Sequence, residues 1–356
     1  MHKNTNPLLS LQENHWFKLI CGASYQHLPA VRNLTMVYTL AGADCIDLAA
    51  DQAVINAAKE GLKIASSLKT EAKKQGYNYH NSPYLMVSIN DGEDPHFRKA
   101  EFNFAQCPST CPRPCAKICP ADAIQFTNLH KGVIDQLCYG CGRCLPVCPS
   151  NVIYTRSHIS TPEIVLSWLP ELSIDAVEIH TQIGHEANFK RLWSKIAPKI
   201  QDLKLLAISC PYAPNVIDYL EELSSQINPI SIPLIWQTDG RPMSGDIGMG
   251  TTRLTIKYAQ QALNSNLSGY IQLAGGTNHH TASKLRFLNL LPNDNRTNHN
   301  EKVSGIAYGS YGRKLLADIW VELEEISATN QLEKYPHLLW KAVKKANLLV
   351  SQLKFN

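Results

Sequence analysis

The chain has 356 residues, enough for one large core or two ordinary domains, and its 44% hydrophobic and 18% charged residues exclude a disordered or fibrous protein. A formal charge of +4 with no long run of like charges excludes an electrostatic grip on nucleic acid, so no nucleic-acid partner is expected. No apolar stretch approaches the ~18 residues of a membrane span, and residues 1–15 lack the pattern of an export signal, so a cytoplasmic protein with no transmembrane segment is expected.

In chain order, short runs rich in β-branched residues alternate with longer stretches of helical period. The runs predict strands at 17–21, 45–49, 84–89, 175–180, 203–209, 231–237, 268–274 and 303–308. Helices are predicted over 52–69, 187–200, 214–227 and 252–265, each able to lay an apolar stripe on a sheet. Eight such units predict an α/β fold of the TIM-type (β/α)8 barrel; a doubly wound open sheet or two α/β halves is the competing arrangement. The expected division is 1–99 for the first part of the barrel, 100–155 for an insert after the third strand, and 156–356 for the remainder. The polar stretch 291–303 reads as a surface loop.

Eight of the eleven cysteines fall between Cys107 and Cys148, which points to metal ligation rather than disulfides. Cys21, Cys45 and Cys210 stand among apolar residues and read as buried core thiols. Cys138, Cys141, Cys144 and Cys148-Pro149 have the C-x2-C-x2-C-x3-C-P spacing of bacterial ferredoxins, with Gly140 and Gly142 easing the turns that aim three sulfurs at one centre. Upstream, Cys107, Cys111, Cys115 and Cys119-Pro120 repeat the C-x3-C-P ending but widen the earlier spacings. In two-cluster ferredoxins the last cysteine of each run serves the other cluster. Cys138, Cys141, Cys144 and Cys119 are therefore expected on one [4Fe–4S] cube, and Cys107, Cys111, Cys115 and Cys148 on the second. The widened run leaves open a [3Fe–4S] form there. Two structural zinc sites are the alternative, although a C-x2-C-x2-C triplet suits zinc poorly. Arg113, Lys117 and Arg143 are either cations that tune cluster potential or ordinary surface charges.

At the expected barrel mouth, Gly275, Gly276 and Thr277 after the seventh strand, with Gly309 and Ser310 after the eighth, form a candidate phosphate site, with flavin mononucleotide as the ligand that would fit. Glycines serve equally as turn residues. The long loop 238–253, rich in Gly, Asp and Arg, reads as a lid, a partner surface or an ordinary flexible loop. His279-His280 and His185-Glu186 lack partners at ligand spacing and read as exposed or core-satisfied groups. Hydrolase and ATPase motifs are absent.

The stretch from Trp16 to Asp51, the cysteine block, and the later WQTDGRPMSGDIG and LAGGTNHHT resemble the cyanobacterial light-dependent period family over nearly the whole chain. That resemblance implies an iron–sulfur protein that carries the redox state of photosynthetic electron transport to the circadian clock, with clock input and core proteins as partners. It carries the cluster role onto the eight cysteines named above and supplies no catalytic residue. The expected function is a redox sensor and adaptor fed by either a quinone or a ferredoxin. The alternatives are an oxidoreductase relaying electrons from the clusters to a flavin, and a scaffold stapled by its clusters.

Overall fold

A computed structural model describes residues 6–21, 28–77, 79, 81–92, 98–119, 122–127, 131–135, 137–138, 142–157, 162–241, 250–292, 302–327 and 329–354. Its strands are β1 (Trp16–Ile20), β2 (Cys45–Ala49), β3 (Tyr84–Asn90), β4 (Arg98–Glu101), β5 (Ile124–Phe126), β6 (Lys131–Val133), β7 (Tyr154–Ser157), β8 (Ala176–His180), β9 (Leu205–Pro211), β10 (Leu234–Asp239), β11 (Tyr270–Ala274) and β12 (Gly305–Tyr308). Eight of these close into a barrel in the order β1-β12-β11-β10-β9-β8-β3-β2, every pair parallel. These are the eight strands expected from the sequence. The sixth starts after Pro233 rather than at residue 231, since proline has no N–H to give a ladder.

Helices wrap the barrel with their apolar faces inward. The predicted helix at 52–69 runs Gln52–Ser67 and is followed by Lys69–Lys74. Leu28–Ala41, which the sequence reading did not single out, is buried along almost its whole length. These two neighbours approach so closely that a Cβ on Gly61 would meet the Arg32 carbonyl oxygen at 2.3 Å. Gly61→Ala should therefore force the helices apart, lowering stability by about 1–3 kcal/mol as read from a urea midpoint, by the usual scale of overpacking.

The barrel interior is layered. Trp16, Cys45, Tyr84, Met86, Ala176, Leu205, Ala207 and Ile235 fill its N-terminal end, where the helix Pro7–Gln12 adds Leu8 and Leu11 as a plug. Cys21, Cys45 and Cys210 are fully buried, as their apolar surroundings predict. Burial pushes the Cys21 and Cys210 thiols up to about 12.

The insert leaves after β3. Its entry strand β4 pairs antiparallel with its exit strand β7, from Arg98↔Ser157 to Glu101↔Tyr154, making a two-stranded stalk. A second hairpin, β5–β6, packs with the cysteines around Ala100, Phe102, Ala123, Ile124 and Ile153, a small core separate from that of the barrel.

Candidate functional site

The two cysteine runs fold alike. At a constant offset along the chain, Arg113 and Gly142 both take a left-handed conformation, φ 55° and 71°, and Asp122 and Asn151 do so again at 48° and 49°. Between them, Cys119 N–H donates to Ala116 O and Cys148 N–H to Leu145 O, each at 3.3 Å. The widened spacing of the first run is thus confined to its N-terminal side. Beyond Cys115 and Cys144 the two halves share one backbone path, because the same C-x3-C-P chain must turn its last sulfur inward and then leave.

Backbone amides converge on those sulfurs. Cys119 Sγ accepts from Ala123 N–H at 3.3 Å, and Cys138 Sγ accepts from Ala100 N–H of the stalk at 3.4 Å. At Cys148 burial raises the thiol, but the N–H groups of Val152, Ser150, Ile153 and Asn151 outweigh it and hold the group below its ordinary value. A thiolate is the ligand form of cysteine, so a sulfur ringed by N–H donors is one prepared for metal. Cys148 also lies within electrostatic reach of Cys107 and Cys115, and Cys107 within that of Cys111. Burial, then the neighbouring sulfur of Cys111, raises the Cys107 thiol. Soft sulfur donors of this kind, drawn from both runs, suit an iron–sulfur group in their chemistry. Of the other four, Cys119, Cys138 and Cys144 belong to the same small core, while Cys141 lies outside the described residues.

Phe102, Phe104 and Phe126 form an apron on this core, with the Phe126 ring centroid 6.0 Å from each of the other two. Arg113 stacks 4.4 Å over Phe126, and Lys131 lies 5.3 Å over Phe104. Of the cations expected near the clusters, Arg113 acts on a ligand thiol, favouring the thiolate of Cys107.

At the barrel mouth the glycines have a packing role. A Cβ on Gly275 would lie 2.9 Å from Arg241 N and one on Gly276 2.8 Å from Thr251 O, and both residues have positive φ, 62° and 94°. Thr255 and Thr251 hydroxyls donate to the Gly275 and Gly276 carbonyls, and Thr277 donates to Ala307 O at 2.7 Å. This turn is therefore locked against the ends of β10 and β12. Gly309 is less crowded, with nothing nearer than Arg313 Nη1 at 3.6 Å, and Ser310 receives Arg313 Nη2 at 3.3 Å. His279 and His280 are exposed, and His279 Nδ1 meets Tyr311 Oη at 2.8 Å. His185 pairs with buried Asp91 at 2.8 Å. Most of the lid-like loop, residues 242–249, lies outside the described residues.

A polar layer that the sequence reading missed lies above the apolar plug. Lys18, fully buried, donates to Glu178 and lies 3.5 Å from Asp47 Oδ2. Ser88 donates to Asp47 Oδ1 at 2.5 Å, Gln237 to Glu178 Oε1 at 2.8 Å, Gln272 to Gln237 Oε1 at 2.6 Å, and Trp16 Nε1 to Gln272 Oε1 at 2.7 Å. Burial opposes the Lys18 charge, yet Glu178 and Asp47 outweigh it and keep the ammonium protonated. Burial raises Asp47, whereas Lys18 overcomes burial at Glu178 and lowers it. Asp239, at the mouth, is pushed up to about 7 by burial and then by Glu178; its carboxylate accepts a long hydrogen bond, 3.3 Å from Gln237. The available signal was a charged or amide residue within the apolar run of several strands, as in WFKLI, CIDLA, AVEIH and YIQLA.

These features define a parallel eight-stranded α/β barrel carrying a cysteine-rich insert that leaves after its third strand. Two family profiles match the chain: "LdpA Fe-S cluster-binding domain" over residues 107–159 and "Light dependent period A C-terminal domain" over 168–352. The chain is 47% identical over 349 residues, 98% of its length and 94% of the relative's, to "Light dependent period A" of Synechococcus elongatus. The chain belongs to the Light dependent period A family, and its insert is that family's iron–sulfur cluster-binding domain. Among solved structures it is similar, at 9% identity, to (S)-3-O-geranylgeranylglyceryl phosphate synthase from Thermoplasma acidophilum (TM-score 0.38, covering 97% of this chain and 99% of that one). It is likewise similar to the tryptophan synthase alpha subunit of Legionella pneumophila (TM-score 0.41, 9% identity, 98% of each chain). No helix among the described residues is long and apolar enough to cross a membrane.

Proposed function

We propose that the insert, residues 100–155, holds two [4Fe–4S] clusters, one on Cys107, Cys111, Cys115 and Cys148 and the other on Cys119, Cys138, Cys141 and Cys144. We propose further that the protein is a cytoplasmic redox sensor and adaptor. The observation that supports the cluster reading is the packing of Cys107, Cys115, Cys119, Cys138, Cys144 and Cys148 in one small core, and the crossed assignment follows the ferredoxin pattern. When bound, each cluster supplies a site that accepts or gives one electron. The chain's own residues do the rest: the Ala100, Ala123 and Val152 N–H groups stabilise charge on sulfur, and the three phenylalanines exclude water.

The crossed assignment makes a prediction that the uncrossed one reverses. Cys107→Ser combined with Cys148→Ser should cost one cluster, leaving roughly four irons of about eight, as two cubes require. Cys107→Ser combined with Cys119→Ser should cost both. The opposite pattern, in anaerobic iron counts, would assign each run to its own cube.

The likeness to Light dependent period A supports a role in setting circadian period by light; we propose clock input and core proteins as partners and a quinone or a ferredoxin as electron donor. The test is affinity for such a partner with the clusters oxidised and reduced. Equal affinity in both states would contradict the sensor reading. The Arg313 guanidinium, 3.6 Å from the Cβ position of Gly309 and 3.3 Å from Ser310 Oγ, supports a second reading, a flavin mononucleotide phosphate at Gly309 and Ser310 with electrons passing from clusters to flavin. Tight binding of flavin mononucleotide by the purified protein would favour it.

A further inference from the structure

The stalk puts a lysine in an unusual place. Lys99 of β4 is only 2% exposed; its Nζ lies 2.8 Å from Asp51 Oδ2 and donates to the Asp135 main-chain oxygen at 2.5 Å. Asp51 follows β2 at the C-terminal face of the barrel and caps the helix Gln52–Ser67, its Oδ1 accepting from Ala53 N–H at 2.9 Å and Val54 N–H at 3.2 Å. On the other side, Asp135 stands shortly before Cys138, and its carboxylate takes Arg156 Nη2 at 2.6 Å. The residue next to Lys99, Ala100, donates its N–H to Cys138 Sγ. One buried ammonium thus joins a helix cap of the barrel to the segment that carries Cys138.

We infer that Lys99 is a charge-sensing strut that reports the reduction state of the cluster on Cys138 to the helix Gln52–Ser67. The inference rests on the cluster reading above. A low-potential one-electron donor adds one electron to that cluster; no bond forms or breaks, and the cluster becomes more negative by one charge. In a buried setting that change is weakly screened, so the ammonium is drawn toward the insert and its hold on Asp51 slackens. Asp51 then keeps, among the described residues, its two backbone amides, and the first turn of the helix opens more often. By linkage, the same positive charge favours the reduced cluster. Lys99 acts through Asp51 and the cluster, so it is a positioning residue.

The test uses the full chain with its clusters, comparing hydrogen exchange over 52–67 before and after reduction with dithionite. Exchange at Ala53 and Val54 should be several-fold faster in the reduced protein. Lys99→Met should abolish the difference and lower the midpoint of one centre by about a tenfold shift in its reduction equilibrium, ~59 mV for a one-electron couple. Asp51→Asn keeps a good helix cap while removing the charge pair, so it should abolish the exchange difference with the helix intact. A fully iron-loaded, EPR-visible wild type whose 52–67 exchange ignores reduction would overturn the strut while leaving the clusters standing, as would Asp51→Asn retaining the difference. A protein that binds no iron would overturn both.

Discussion

Lys18→Met is expected to destabilise the barrel by about 3–5 kcal/mol at neutral pH, the usual effect of removing one partner from a buried ion pair. Lys18 has no exposed surface and is the cation held between Glu178 and Asp47, themselves 0% and 2% exposed. Removing it leaves two carboxylates in the interior with the Gln237 amide, the Ser88 hydroxyl and the His180 ring, 3.6 Å from Glu178 Oε1, in place of a fixed positive charge between them. The measurement is a urea midpoint at pH 7. Combining Lys18→Met with Glu178→Gln should recover part of the loss, since the second change removes one stranded charge. A Lys18→Met protein within about 1 kcal/mol of the parent, below the penalty expected for an uncompensated buried charge, would show that water reaches this layer and that the barrel interior is not a closed core.

Asp239→Asn is expected to act in the opposite direction and only above acid pH. Burial pushes the folded carboxyl up to about 7, whereas an unfolded aspartate titrates near its ordinary value of about 3.9. Below about pH 4 both states hold the proton and Asp239 costs the fold nothing. As pH rises from there the unfolded chain gives up its proton while the folded chain retains it, and the penalty grows until the folded group also ionises near pH 7. Asparagine removes that penalty, so the variant should be more stable than the parent by about 4 kcal/mol at pH 8 and equal to it near pH 4. The check is a pair of denaturation series at those two pH values. A pH-independent difference would mean that Asp239 ionises normally in the fold.

How much of this was legible in the sequence depends on the range of the interactions. The barrel strands announce themselves locally, because a parallel strand buried on both faces must be a short apolar run, and LLAIS or YLMVSI can be little else. The cysteine motifs are also local, since turn geometry between close ligands dictates their spacing. The stalk pairing of β4 with β7 was not legible: each strand is four residues long, and its partner lies across the whole insert. The polar layer was partly visible, as Lys18, Asp47 and Glu178 each interrupt an apolar run, but the closed barrel is what turns three separate interruptions into one network. The glycines of the turn after β11 are ambiguous in sequence because close backbone approach and anion binding ask for the same residue; in the fold Arg241 crowds Gly275, and Thr251 and Thr255 crowd Gly276.

The most direct measurement is anaerobic purification followed by iron and sulfide counts and low-temperature EPR of the dithionite-reduced protein. Two cubes in one small insert require roughly eight irons and two reduced centres whose signals interact. Tightly bound zinc with no EPR signal would contradict the cluster reading and leave the insert a structural staple.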